Sequence, residues 1–251
     1  MKAVTIGDFQ LSFEPGGKLY RLETPGGHQV LHRSDYKFNC GGGRVFVPGG
    51  WDECFPTIDP WRTSPVMGEL IGWTPVLSVA AGGVRQLWED RSYRVSREFS
   101  SDKPGELDMT FSVENMTGKA LEFLWASHSL FTFSGLKSVV LPDGQELRDF
   151  SLNGGCSKSF VKAGPPVVIR WGWGAIRLET DQPYWGVWLN RGGWPAGKPA
   201  DFGCIGIEAT NTAGEAPAGA RIEPGACFRG RVKLLPLSVA VGQGPTGCGT
   251  V

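Results

Sequence analysis

Two residues in this sequence have the type and the surroundings for acid–base chemistry. His128 lies in the apolar run Phe123-Leu-Trp-Ala-Ser-His-Ser-Leu-Phe131, and Glu208 follows Gly-Ile in Cys204-Ile-Gly-Ile-Glu-Ala-Thr-Asn-Thr212. A carboxylate in a run that reads as a buried strand is costly to desolvate unless a cation pairs with it or its proton affinity is shifted. The bland alternative is a wetter sheet face. A lone histidine at the end of an apolar strand is either a hydrogen-bonded core residue or a proton donor. Together, an imidazole and a carboxylate can move protons without a metal. The other two histidines, His28 and His32, flank an early turn with no acidic partner close in sequence, and read as surface or strand-end residues.

Other chemistries find little support. There is no Gly-x-Ser-x-Gly elbow for a serine nucleophile. No Gly-x-x-x-x-Gly-Lys-Ser/Thr loop cradles a phosphate. The six cysteines (40, 54, 156, 204, 227, 248) form no Cys-x-x-Cys pair, and no histidine pair sits on a helix. No metal and no cofactor is expected.

The elements that must position these residues are strands. In Glu106–Glu114, the residues Leu107, Met109, Phe111 and Val113 share one face, the period-two pattern of a half-buried strand. Asn115-Met-Thr-Gly118 then turns the chain into a second strand, Ala120 to Ser127, which predicts a hairpin. Gln10–Glu14 and Lys18–Thr24 flank Pro15-Gly16-Gly17, and Val84–Asp90 and Arg94–Ser100 form another pair. Val167–Gly172, Ala175–Thr180, Gly186–Asn190, Gly203–Ala209 and Gly230–Pro236 complete the set. No amphipathic helix of three turns is visible. The segments 39–73 and 191–201 are rich in Gly, Pro and Trp, and loops of such length usually serve a site.

Composition sets the outer limits. The chain has 251 residues, of which 41% are hydrophobic, enough for a sizeable core in one all-β domain spanning 1–251. The tail from about 238 is Gly-rich and is expected to be poorly ordered. The 25 basic residues match the 25 acidic ones, so no basic excess points to nucleic acid, and no basic amphipathic stretch points to a membrane surface. The first residues hold no apolar run of signal length, and scattered thiols suit a reducing compartment. A cytoplasmic location is the expectation.

Three segments resemble the aldose 1-epimerase, or galactose mutarotase-like, family in consistent order. They are GGGRVFVPGGWDECFPTIDP (41–60), FLWASHSLFTF (123–133), and DQPYWGVWLNRGGWP (181–195) followed by IGIEATNT (205–212). The resemblance implies a β-supersandwich of mostly antiparallel strands and chemistry at the anomeric carbon of a sugar. In that family a His protonates the ring oxygen and a Glu takes the proton of the anomeric hydroxyl. Carried over, His128 is the catalytic acid and Glu208 the base. The implied partner is a small carbohydrate, a hexose or a derivative.

The candidate substrate-binding residues are Arg44, Trp51, Asp52, Met67, Trp73 and Asn190. Arg44 stands where relatives place a substrate-binding Arg, and Arg97 and Arg191 are further candidates; an Arg fork would suit a sugar phosphate or a uronate carboxylate, and the alternative for each is a solvated surface charge. Trp51 is the favoured aromatic wall, with Trp73 and Trp194 also in or beside the long loops. Asp52 and Glu53 could bind hydroxyls or cap the loop. One departure stands out. Where relatives carry Asp-His-Gly-Glu, this chain has Val66-Met67-Gly68-Glu69, and a thioether neither donates a strong hydrogen bond nor holds charge. A non-catalytic sugar-binding or sensor protein is therefore the alternative reading, and an accessory domain of a larger carbohydrate-active enzyme is a third.

Overall fold

Alternating apolar and polar residues translate into a structure built of strands. The computed structural model describes residues 1–41, 44–71, 73–80, 82–194 and 203–237, without the side chains of 39–41 and 44. The expectations for the tail from about 238, for 195–201 and for the Arg44 guanidinium fall outside the described residues.

The chain opens with β1 (Lys2–Ile6), β2 (Phe9–Phe13), β3 (Leu19–Glu23), the short pair β4 (Phe38–Gly41) and β5 (Arg44–Phe46), and β6 (Gly50–Cys54). After the long loop come β7 (Val76–Ala80), β8 (Gly83–Glu89), β9 (Tyr93–Ser100), β10 (Leu107–Asn115), β11 (Leu121–Glu122), β12 (Ala126–Thr132), β13 (Leu136–Val140) and β14 (Glu146–Leu147). The last third holds β15 (Gly155–Lys162), β16 (Val167–Trp171), β17 (Gly174–Thr180), β18 (Tyr184–Arg191), β19 (Gly203–Thr210), β20 (Arg221–Ile222) and β21 (Cys227–Leu237). Among the described residues no helix is long and apolar enough to cross a membrane.

Two large sheets face each other. Among the described residues one has eight strands in the order β1-β2-β3-β6-β12-β19-β18-β15, and the other nine in the order β14-β13-β16-β17-β21-β10-β9-β8-β7. Their named strand pairs are antiparallel, so short turns can join neighbours. The inner faces bury one core, in which the alternating Leu107, Met109, Phe111 and Val113 of β10 are at most 1% exposed. Burying each such side chain contributes about 1.5–3 kcal/mol.

The hairpins β2–β3, β8–β9 and β16–β17 form where turn residues predict them. The hairpin expected across 115–118 does not. The turn itself is made, since Asn115 Oδ1 accepts from the Thr117 backbone and Asn115 Nδ2 donates to the Lys119 carbonyl. The strands then part: β10 pairs with β9 and β21, while β12 lies in the other sheet between β6 and β19. The stretch 121–125 crosses between the layers and places Trp125 in the core, stacked on Phe111 at 5.2 Å.

Candidate active site

β19 reads as CIGIEAT because both of its faces are covered. All eight of its residues are buried. Ile205, Ile207 and Ala209 join the inter-sheet core. By the two-residue period, Gly206 and Glu208 face the opposite side of the sheet. There the registers of neighbouring strands set up a row: Asp52 opposite His128, His128 opposite Glu208, Glu208 opposite Gly186. Residues so paired on one face stand close enough to interact. The Nε2 of His128 lies 3.8 Å from Oε1 of Glu208. The two residues singled out from sequence, 80 positions apart in the chain, thus meet.

Glycines make room for this carboxylate. A Cβ on Gly206 would come within 2.8 Å of Glu208 Oε1, and one on Gly186 within 3.4 Å of Oε2. Glu208 has no exposed side-chain surface, so its charge needs a partner. The partner is Lys158 of β15, whose Nζ donates to Oε1 at 2.7 Å and Oε2 at 2.6 Å. Lys158 also lies 3.6 Å from Oε1 of Glu215. Sequence reasoning missed Lys158 because β15 is too polar to show as a strand; the spacing of Lys158, Phe160 and Lys162 was the available signal.

The charges respond to this arrangement. Burial lowers the pKa of His128, assisted by Lys158 and Lys18, against opposing contributions from Glu208 and Asp52. Burial works to lower that of Lys158 as well, but the charge of Glu208 and its hydrogen bonds prevail and raise it. Burial raises the Glu215 carboxyl above its ordinary range. An imidazole and an ion-paired carboxylate at this separation can serve two neighbouring atoms of one ligand, giving a proton to one and taking a proton from the other.

Of this row His128 lines a cleft of about 300 Å³, at the small end for ligand sites, while Glu208 lies buried behind Lys158. His128, Lys158 and Glu215 line it together with Met67, Trp188 and Trp194. The two indoles meet edge to face at 5.5 Å, and Trp188 stands 6.2 Å from the His128 ring. Met67 reaches the cleft from a left-handed backbone (φ 65°), followed by Gly68 (φ 78°), whose Cβ would clash with the Phe55 carbonyl at 2.2 Å. The Met67 sulfur is 3.9 Å from Cys54 Sγ, so this wall of the cleft is apolar.

Several expected ligand contacts lie elsewhere. Trp51 is not a cleft wall. The period of β6 turns its indole into the inter-sheet core, where it is 1% exposed and Nε1 donates to Ser127 Oγ at 2.7 Å. Trp73 does not line this cleft either; it stacks on Tyr93 at 5.8 Å and packs on the core. Asn190 is fully buried and clamps the backbone of Trp194 with both ends of its amide, at 2.8 and 3.1 Å. Asp52 belongs to the row but is ion-paired to Lys18 at 2.9 Å and lines an adjoining chamber of about 240 Å³.

Neither Arg97 nor Arg191 lines this cleft. Arg97 is buried between the sheets with Glu53, 3.2 Å away, and Arg191 is bound to Asp149 through its Nε to the backbone carbonyl. Glu53 also accepts from Trp125 Nε1, and burial pushes its pKa to about 7. No group of three His, Cys, Asp or Glu side chains among the described residues has metal-binding geometry.

No protein-family model matches the chain, and no curated protein is detectably similar in sequence. Solved structures are similar in shape. A candidate aldose 1-epimerase from Escherichia coli K12 superposes with a TM-score of 0.67 at 15% identity, over 94% of this chain and 98% of that one. A galactose mutarotase-like protein from Lactobacillus casei gives 0.63 at 15% identity, over 94% of this chain and 100% of that one. A TPR-domain-containing protein from Parabacteroides distasonis gives 0.68 at 13% identity, matching 99% of this chain but 49% of its own length. The two facing antiparallel sheets of this chain therefore have the galactose mutarotase-like fold.

Proposed function

We propose that this protein is an aldose 1-epimerase-like isomerase that interconverts the anomers of a hexose or hexose derivative. The observation that carries the reading is the in-register pair His128–Glu208, 3.8 Å apart, with His128 on a cleft walled by two indoles. The similarity in fold to proteins described as mutarotase-like supports it.

The ring oxygen and the anomeric hydroxyl of a pyranose are bonded to the same carbon, so acid and base must act close together. Glu208 takes the hydroxyl proton as a carbonyl forms at C1. His128 gives its Nε2 proton to the ring oxygen as the C1–oxygen bond breaks. The C1–C2 bond rotates, and both proton transfers reverse on the other face of the carbonyl. The flat faces of Trp188 and Trp194 suit the C–H face of the sugar while their N–H edges stay polar.

Anomer exchange measured by NMR saturation transfer, on a panel of free hexoses, hexose 6-phosphates and uronates, tests this reading. Acceleration by the protein that is lost in Glu208→Gln is the expected result. No acceleration of any member would overturn it.

A second reading, a sugar-binding or sensor protein, is favoured by the thioether of Met67 on the cleft wall, where the family resemblance calls for a histidine. Ligand-induced line broadening without exchange would select it.

A further inference from the structure

We propose that Lys158 is the positioning residue of this site: shared between Glu208 and Glu215, it holds the Glu208 carboxylate anionic and turned toward His128, and it moves to Glu215 when Glu208 takes up a proton. This deepens the epimerase reading and rests on it for its catalytic meaning.

The geometry carries the inference. Both oxygens of Glu208 are engaged by one ammonium, at 2.6 and 2.7 Å, which holds the head of the carboxylate in place. Its Oε1 is the atom facing His128 at 3.8 Å. A second carboxylate, Glu215, waits 3.6 Å from the same ammonium. When the anomeric hydroxyl gives its proton to Glu208, the sugar O–H bond breaks and a Glu208 O–H bond forms, so Glu208 loses its charge. Among the described residues the Lys158 cation then keeps Glu215 as its charged partner, and closing that gap compensates for the lost ion pair. On proton return the contact reverses.

Glu215 is placed for this by its own backbone. Its carbonyl accepts from the Ile58 and Asp59 amides, at 3.1 and 2.9 Å, and from Thr57 Oγ1 at 3.1 Å. Two loops that wall the cleft are thus tied together behind the side chain. The titratable groups around His128 come from three strands and three connecting segments: Asp52 and Cys54 of β6, Glu208 of β19, Lys158 of β15, Lys18 just before β3, and Asp59 and Glu215 of the cleft loops. Lys158 and Lys18 are the cations among them, and Lys18 is committed to Asp52.

His128 reports on the arrangement whether or not the protein turns a sugar over. Its imidazole titration is followed by NMR in the intact protein, in Lys158→Met and in Lys158→Arg. Without the cation the fully buried Glu208 takes up a proton, and because Glu208 raises the His128 midpoint by more than Lys158 lowers it, the midpoint falls in Lys158→Met and stays near that of the unsubstituted protein in Lys158→Arg. A lysine serving only the stability of β15 would change the melting temperature and leave the midpoint where it was, and that result overturns the proposal.

Anomer exchange gives the catalytic half of the test. Lys158→Met lowers kcat by about tenfold or more with little change in KM, and its acid limb moves to higher pH, because a buried carboxylate without a cation binds a proton more readily. Glu215→Gln lowers kcat and leaves the His128 midpoint nearly in place. Unchanged kcat in both variants overturns the proposal. A lowered midpoint in Lys158→Met, in a protein that exchanges no anomers at all, upholds the placement of Glu208 and overturns the epimerase reading instead.

Discussion

His128 and Glu208 stand directly opposite each other on adjacent antiparallel strands, β12 and β19, with Nε2 and Oε1 3.8 Å apart. The register that pairs them also pairs His128 with Asp52 on its other side. A one-residue slip of either strand would turn one member of the pair into the core.

Removing either member separates chemistry from folding. Glu208→Gln keeps the shape and the Lys158 contact through its carbonyl, and lowers anomer exchange by roughly 10²–10⁴-fold. His128→Ala does the same. Circular dichroism and the melting curve of each variant, beside the exchange rate, check that the fold survives.

The pH profile should fall on its alkaline side at an unusually low pH. An acid that must carry a proton is lost as pH rises through its pKa, and burial sets that of His128 below the ordinary 6.5. Asp52 opposes this lowering. Asp52→Asn therefore moves the falling limb of kcat/KM to still lower pH, and a limb that stays in place argues against His128 as the acid.

Gly206 holds the space in which the Glu208 carboxylate sits. In Gly206→Ala the new methyl would stand 2.8 Å from Oε1, so the carboxylate must turn away from His128. Exchange should fall by about tenfold or more, since small misplacements of catalytic groups are costly. Retained full activity would show that the orientation seen here is not the working one.

The tryptophans divide by sheet face. Trp188→Ala lowers sugar affinity by about tenfold, whereas Trp51→Phe leaves affinity unchanged. Losing the buried bond from Trp51 to Ser127 instead lowers stability by about 1 kcal/mol. Calorimetric titration with the sugar that gives line broadening, and thermal unfolding, read the two effects apart.

The buried pair behind the site governs stability. With its pKa raised from 4.5 to about 7, Glu53 contributes stability that is complete below about pH 4.5 and lost as pH rises through 7. The difference is on the order of 3 kcal/mol. Melting temperatures at pH 5 and 8 should differ, and Glu53→Gln should narrow the gap. Arg97→Met, which strands the carboxylate, destabilises by about 3–5 kcal/mol at neutral pH.

The sequence by itself determined the strand character of this chain and the two residues worth watching. Alternation in 107–113 and turn chemistry at 15–17 act locally, so they can be read without knowing what packs against them. His128 and Glu208 were legible because a titratable group in an apolar run is costly unless something compensates for it. What lay beyond reach was set by distant partners. The turn at 115–118 is readable, but only the two-layer arrangement decides that β12 leaves β10 for the other sheet. Which face of β6 meets the core depends on its register with β12, and that alone sends Trp51 inward and Asp52 outward. Lys158 finds Glu208 across β18, 50 residues along the chain, and a polar strand gives no local sign of such a contact. Trp188 and Trp194 become the cleft wall only once β18 lies between β15 and β19. Local propensity is written in neighbouring residues, whereas a site is a set of side chains brought together by sheet order, and sheet order is decided by burial over the whole chain.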